Sequence, residues 1–421
     1  MKKTDRNKTT MLIKKEQEAV LESYLAAPPP TRGKIVALDC HPDTFTAAVV
    51  VGQTPHDARK IGSRENLDLE ALLKWAAKEF SAQDLFLMEA GSNSFEVSKR
   101  LHELGLRAVV LESCHVGKHA KPYADNDRMA AARIALVYLA GNAPCVWRPD
   151  ERSRERRELL HAYNKAVVDH NAAINSLKGY LTGRGIRPQK RNLALESTRA
   201  WIGSQRDWSP LQITILKEHY GELDSSKERR QRLYRLLAVE ISAEPLMLRC
   251  MKLLGIGLVN AFALLAVIGD VRRFARAEKL VAYVGLNPGR RQSGKSKDIK
   301  LGTGGRGRCD LRRLLTQGAQ AVLRTGRATA LGQWGWKLFA RKGCRNVAVS
   351  AVARKLLVQV WHLLHGNPPT AIDTSKSFTL KLSKLAATLG TDLRRQLGLG
   401  DSLAESIQQL RKRTLDTSTV L

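Results

Sequence analysis

The hydrophobic period of this 421-residue chain changes once, near residue 150, and that change limits what each part can fold into. Before it, short apolar runs alternate with helical patterns. KIVALD (34–39) and FTAAVVVG (45–52) read as strands joined by the turn HPDT (41–44), which makes a hairpin. DLFLMEA (84–90) and RAVVLES (107–113) read as two more buried strands. Between them, LDLEALLKWAAKEF (67–80), SFEVSKRLHELG (94–105) and the Ala-rich DRMAAARIALVYLAG (127–141) carry apolar residues at helical spacing. Strands alternating with helices predict an α/β domain with a mixed sheet over 34–150. After residue 150 helical spacing dominates. The segments 151–181 and 225–241 hold three- and four-residue apolar spacing over several turns. They predict a long helical coiled-coil arm over 151–245, which either joins protomers or packs as a hairpin on itself. Residues 246–370 read as a mainly helical domain with a Gly/Arg/Lys-rich loop at 285–308, and 371–421 as an accessory tail with one or two short helices. Residues 1–33, ending near an Ala-Pro-Pro-Pro run, read as a flexible tail and stiff linker. The fold class is therefore α/β plus α.

Charge decides the kind of partner. Seventy Lys and Arg stand against 40 Asp and Glu, a net charge of +30. Each cation placed on a phosphate releases counterions, so an excess of this size points to a polyanion. The basic residues recur in every region instead of forming one juxtamembrane cluster, which favours nucleic acid over a membrane surface. Aromatic residues make up only 5%, which argues against a single-strand binder built on base stacking. Six cysteines without a CxxC pair fit reduced thiols better than a zinc ribbon or a disulfide scaffold. The N-terminal stretch lacks the apolar core of a signal peptide, and no apolar run reaches the length of a membrane span. The expectation is a cytoplasmic, nucleoid-associated protein facing nucleic acid, with no membrane partner.

Three acids sit where chemistry is possible. Asp39 ends the first strand, Glu89 ends a later one, and Asp127 opens a helix. Carboxylates converging from a sheet edge and an adjoining helix suit hard divalent cations such as Mg²⁺, which can clamp the oxygens of a phosphodiester. The competing reading is that Asp39 and Asp127 cap their elements while Glu89 sits in an exposed loop. In LLGIGLVNAFALLAVIGD (253–270), Gly255 and Gly257 lie between two helical segments. Glycines there resemble a helix-hairpin-helix contact to a DNA backbone, and a plain helical turn is the alternative. Residues 290–313 hold nine basic side chains, Arg290, Arg291, Lys295, Lys297, Lys300, Arg306, Arg308, Arg312 and Arg313, against Asp298 and Asp310. Ser293 lies among them. A hydroxyl surrounded by phosphate-binding cations is either an activated nucleophile or one more hydrogen bond to a phosphate.

The order VALDCHPDTFTAAVV, LFLMEAGSNSFEV, NDRMAAARIA, LLGIGLVNAFALLAVIGDVRRF, YVGLNPGRRQSG, GRGRCDLRRLL and VAVSAVARKLL resembles the DEDD-type insertion-sequence transposases. That family, which includes bridge-RNA-guided recombinases, joins a RuvC-like (RNase H-fold) domain to a transposase domain with a catalytic serine. The resemblance covers roughly residues 34–366. It implies that Asp39, Glu89 and Asp127 are the first three acids, that they hold Mg²⁺, and that Ser293 is the nucleophile forming a phosphoserine link. It also implies double-stranded DNA at the element ends and target, a structured guide RNA, and a homodimer or tetramer. The fourth acid of the family falls at position 130, one helical turn after Asp127, and this chain has Ala130 there. Asp125 replaces it only if the helix begins after that residue. Two other functions remain open: a metal-dependent junction nuclease of the RuvC type, and a catalytically decayed DNA- or RNA-binding relic.

Overall fold

In the computed structural model, the described residues are 33–117, 127–188, 192–291, 299–303, 307–325, 329–367 and 375–415. They fall into two compact units, Met1–Pro149 and Asp150–Leu421.

The first unit is built on a five-stranded sheet in the order β3-β2-β1-β4-β5. Its strands are β1 (Ile35–Cys40), β2 (Phe45–Val51), β3 (Arg59–Leu67), β4 (Leu85–Glu89) and β5 (Arg107–Leu111). β1 pairs antiparallel with β2, and β2 with β3, whereas β1–β4 and β4–β5 are parallel. The parallel pairs need crossovers, which the helices Leu69–Glu79 and Ser94–Glu103 supply. β1 is apolar without alternation because both faces are covered. Val36, Leu38, Phe86 and Met88 pack with Leu72, Trp75, Val97 and Leu101 on one face. Ile35, Ala37, Leu85 and Leu87 pack with Ile134, Ala135 and Val137 of the helix Asp127–Leu139 on the other. Each fully buried Leu or Ile contributes about 1.5–3 kcal/mol, so the alternation fixes which face each residue of β1 takes.

β3 departs from the sequence expectation, which had no strand at 59–67. Its residues, RKIGSRENL, are almost all exposed and show no apolar alternation. It is an edge strand, and charged residues on an exposed edge discourage pairing with another chain. Arg64 holds it to the first crossover helix through Glu79 at 2.9 Å and lies over the Trp75 ring.

The second unit is helical apart from one small hairpin. Glu151–Thr182 and Pro210–Ala243 run antiparallel as partners within one chain. Arg156 meets Glu240 and Glu244 near one end, His170 meets Ser226 midway, and Tyr180 donates to the Gln212 carbonyl near the other. The second helix begins well before residue 225 because Ser209 and Gln212 form a capping box with Pro210 at the first helical position. Leu177, Leu181, Ile186, Ile202 and Leu216 make a separate small core at the far end of the pair.

The main core surrounds Leu258–Ile268, in which nine of eleven residues are buried. The helix Arg345–Leu364, long and apolar enough to cross a membrane, buries Val352, Leu356 and Val360 in the same core. So do Phe378, Leu382, Leu385 and Leu410 of Ser375–Gln396 and Leu403–Arg413. These C-terminal helices are tied in further by Lys381, which donates to the Met251 and Leu253 carbonyls at 2.8 Å each. The carbonyl end of Leu258–Ile268 is closed by Arg157, on Ala266 and Val267, and by Arg273, on Ile268 and Val267.

Candidate functional site

Side-chain parity brings the first acids together. Ile35 and Ala37 face the helix Asp127–Leu139, so Asp39, two residues further, projects to that side, as does His41 just past the strand end. Leu85 and Leu87 share the face, which places Glu89 at the end of β4 in the same row. Asp127 stands in the first turn of the covering helix, where the free N–H groups favour a negative charge. His41 Nε2 lies 3.8 Å from Asp39 Oδ2 and 3.6 Å from Asp127 Oδ2. One ligand atom from each of Asp39, His41 and Asp127 lies within 4.8 Å of the others. Glu89 is not in this trio, but its charge is felt beside it. Burial, then Asp39, then Glu89 push the Cys40 thiol up to about 12. The end of β1 therefore gathers Asp39 and Asp127 with an imidazole, and Glu89 close by.

The sequence reading did not single out His41, which it placed in a turn. The turn is real, with the His41 N–H donated to the Thr44 carbonyl at 3.0 Å. The His41 carbonyl in turn accepts from Asn93 Nδ2 at 2.8 Å. The available signal was the spacing Asp-x-His at a strand end, which puts both side chains on one face. Asp125 lies outside the described residues. Ala130, inside the first turns of the helix, offers no ligand atom.

The second unit holds the basic residues. β6 (Pro288–Arg291) and β7 (Ile299–Thr303) form an antiparallel hairpin where the sequence suggested a loop, with Arg290 opposite Lys300. Ser293, Lys295 and Lys297 fall between these strands and, with Arg306, lie outside the described residues. Arg308 forms a two-pronged pair with Asp310 at 2.7 and 3.1 Å, Arg312 donates to the Val284 carbonyl, and Arg313 to Asn164 Oδ1. Three of the nine candidate cations thus have partners inside the unit and brace the base of the hairpin.

Tyr283 belongs to the same base. Its ring lies 4.6 Å from the Arg273 guanidinium. Burial raises its phenol, but the charges and hydrogen bonds of Arg273 and Arg308, with Arg157 nearby, outweigh this and hold it below the ordinary tyrosine range.

The two candidate glycines have different surroundings. Gly255, at φ +86°, is so close to the helix Cys309–Thr325 that a Cβ would sit 2.6 Å from the Gly318 carbonyl oxygen. Asn260 locks the contact by donating to the carbonyls of Gly255 and Leu314. Gly255 therefore lets the backbone approach another helix of the same chain. Gly257, N-cap of Leu258–Ile268, has nothing within 4 Å of a Cβ position. Of the pair, it is the one open to an outside backbone.

Comparisons with known proteins match this second unit most directly. Residues 248–332, from the helix before Gly255 through the hairpin to the start of Ala330–Lys342, match the family described as "Transposase IS116/IS110/IS902 family". Over 258 residues, 59% of this chain and 69% of the relative, the chain is 29% identical to the transposase for insertion sequence element IS1111A of Coxiella burnetii. Over 291 residues, 66% of this chain and 83% of the relative, it is 28% identical to a probable family 20 transposase of Pseudomonas aeruginosa. It is 24% identical over 286 residues, 65% of this chain and 81% of the relative, to the transposase for insertion sequence element IS1328 of Yersinia enterocolitica. The class these findings define is a DNA transposase, an enzyme whose partner is DNA. Within that class, the segment 248–332 and the relatives above make the chain similar to the IS110/IS116/IS902 transposases of insertion sequences.

Proposed function

We propose that this transposase is a site-specific recombinase that breaks and rejoins DNA through a phosphoserine link at Ser293, aided by a divalent ion at the acidic end of β1. The observation that carries the metal role is the convergence of Asp39, His41 and Asp127, which supports a cation site built on two carboxylates. The sheet order, three antiparallel strands followed by two parallel ones, supports a RuvC-like reading of the first unit. Asp39 and Asp127 would hold the ion, Mg²⁺ in the simplest case, with Glu89 beside them. When bound, it supplies charge that polarises a phosphoryl oxygen.

The serine step balances within the chain and the DNA. The Ser293 oxygen bonds to phosphorus and loses its proton, the bond from phosphorus to one deoxyribose oxygen breaks, and that oxygen is protonated. Rejoining reverses this on a different strand end, so no cofactor is consumed. Arg290, Arg291, Lys295, Lys297, Lys300 and Arg306 would carry phosphate contacts around the serine, and Gly257 a further backbone approach. Arg308, Arg312 and Arg313 act chiefly by bracing the hairpin on which Ser293 is carried. A homodimer or tetramer, joined through the long helices, would let the acids of one protomer meet the serine of another. A structured guide RNA would supply the target choice, and sequencing the nucleic acid that co-purifies with the protein tests that part.

The deciding experiment is a denaturing gel with labelled DNA in Mg²⁺, comparing wild type with Ser293→Ala. The expected result is a protein–DNA adduct with wild type, and neither adduct nor cleavage with Ser293→Ala at any protein concentration. A passive serine would weaken binding by about 0.5–3 kcal/mol and leave cleavage visible at saturation. Wild-type cleavage by Ser293→Ala would overturn the reading in favour of a metal-dependent nuclease.

A further inference from the structure

Resting on the metal role proposed above, the geometry points to His41 as a direct ligand of the ion, and hence to a site that selects Mn²⁺ or a similar transition ion over Mg²⁺. The first argument is distance. His41 Nε2 is 3.8 Å from one carboxylate oxygen and 3.6 Å from the other, too long for hydrogen bonds to either. With metal–ligand bonds of about 2.1 Å, two ligand atoms so separated subtend roughly 120–130° at a shared ion, an ordinary angle in an open site.

The second argument is that the backbone carrying the imidazole is held in place. The His41 N–H is tied to the Thr44 carbonyl and its carbonyl to Asn93 Nδ2, so the backbone bearing the ring is fixed from both sides. Asn93 caps the start of the helix after β4, so this tie spans the two parallel strands whose ends carry Asp39 and Glu89.

The third argument is the composition of the helix that covers the site. Asp127 contributes a carboxylate and Ala130, one turn later, has no ligand atom, so among the described residues of that helix Asp127 alone offers a carboxylate. The imidazole fills a coordination position with nitrogen. Mg²⁺ is a hard ion that prefers oxygen ligands and keeps its waters, whereas Mn²⁺, Co²⁺ and Zn²⁺ accept imidazole readily.

The test is metal binding, read apart from cleavage. The full chain is titrated with Mn²⁺ and with Mg²⁺ by calorimetry, and pulsed EPR of the Mn²⁺-loaded protein is searched for nitrogen coupling. Wild type is compared with His41→Ala, His41→Gln and Asp39→Asn. Expected are tighter binding of Mn²⁺ than of Mg²⁺ and a nitrogen coupling in wild type. His41→Ala and His41→Gln should both lose that coupling and bind Mn²⁺ more weakly by on the order of tenfold or more, with Mg²⁺ affinity much less changed. Asp39→Asn should weaken both ions. Mn²⁺ bound without nitrogen coupling, or with equal affinity in wild type and His41→Ala, would overturn the inference and leave the carboxylate site standing. A wild-type protein that binds neither ion would overturn both the inference and the metal role, while the serine adduct would still be judged by its own gel.

Discussion

Substituting Gly255 by Ala separates the architectural use of the glycine turn from its proposed use on DNA, and the cost follows from the geometry. At φ +86° an alanine pays the left-handed penalty of about 1–2 kcal/mol. Its Cβ would lie 2.6 Å from the Gly318 oxygen and 2.9 Å from Val322 Cγ2, so backbone must move, at about 1–3 kcal/mol more. The sum is roughly 2–5 kcal/mol, a fall in melting temperature of roughly 5–15 °C for a unit of this size. Gly318→Ala meets the same contact from the other side, with a Cβ 2.5 Å from the Gly255 oxygen, but without the left-handed penalty. It should therefore destabilise less. Gly257→Ala has open space and an ordinary φ, so its cost should stay at about 1 kcal/mol or less, the difference between glycine and alanine as an N-cap. Thermal melting by far-UV circular dichroism orders the three, and DNA affinity by anisotropy is measured well below each melting point. A Gly255→Ala protein melting within about 2 °C of wild type would refute the packing argument. An unchanged DNA affinity in Gly257→Ala would remove that glycine from the interface.

Three further outcomes are expected. Asp39→Asn should abolish strand cleavage while non-specific DNA affinity stays nearly unchanged, because affinity resides in Lys and Arg contacts elsewhere; undiminished cleavage would sink the metal assignment. Neutralising Arg290 and Arg291 together should weaken all DNA sequences about equally and reduce the log–log salt slope by roughly 2, whereas a change confined to one sequence would mean that these arginines read bases. With its phenol depressed by Arg273, Arg308 and Arg157, Tyr283 should ionise before Tyr163, Tyr220 and Tyr234, whose phenols burial raises, and before Tyr138, pushed up to about 12. A phenolate absorbance titration should lose its earliest step in Tyr283→Phe.

What was legible in the sequence follows the strength of each burial signal. β1, β2, β4 and β5 are apolar runs because the sheet is covered on both faces, so their existence could be read directly. β3 could not, since an edge strand buries little and its polar residues look like a loop. The first half of Pro210–Ala243 escaped for a related reason: its PLQITILKEHYGEL stretch leaves Leu211 and Ile213 exposed, and the capping box at Ser209 is the clearer start signal. The helices after residue 375 read as peripheral because they are short of charge-free runs. They are nonetheless amphipathic, and Phe378, Leu382 and Leu385 enter the main core at helical spacing.

The site was legible to the extent that a strand's two-residue period carries through its end. Asp39 and Glu89 could be put on one face by counting from Ile35 and Leu85, and the same count includes His41. What counting along a strand cannot give is the approach of Asp127, which depends on how Ile134 and Ala135 seat their helix against Ile35 and Ala37. That packing is tertiary, and it also changes the meaning of Ala130. Read along the helix alone, the alanine is a missing ligand, because positions 127 and 130 share a face. Read across the packed layers, the strand end opposite that face already holds an imidazole 3.6 Å from the Asp127 carboxylate. A ligand set is defined by the point on which side chains converge, and here the residues that converge come from two elements whose sequences give no sign of their pairing.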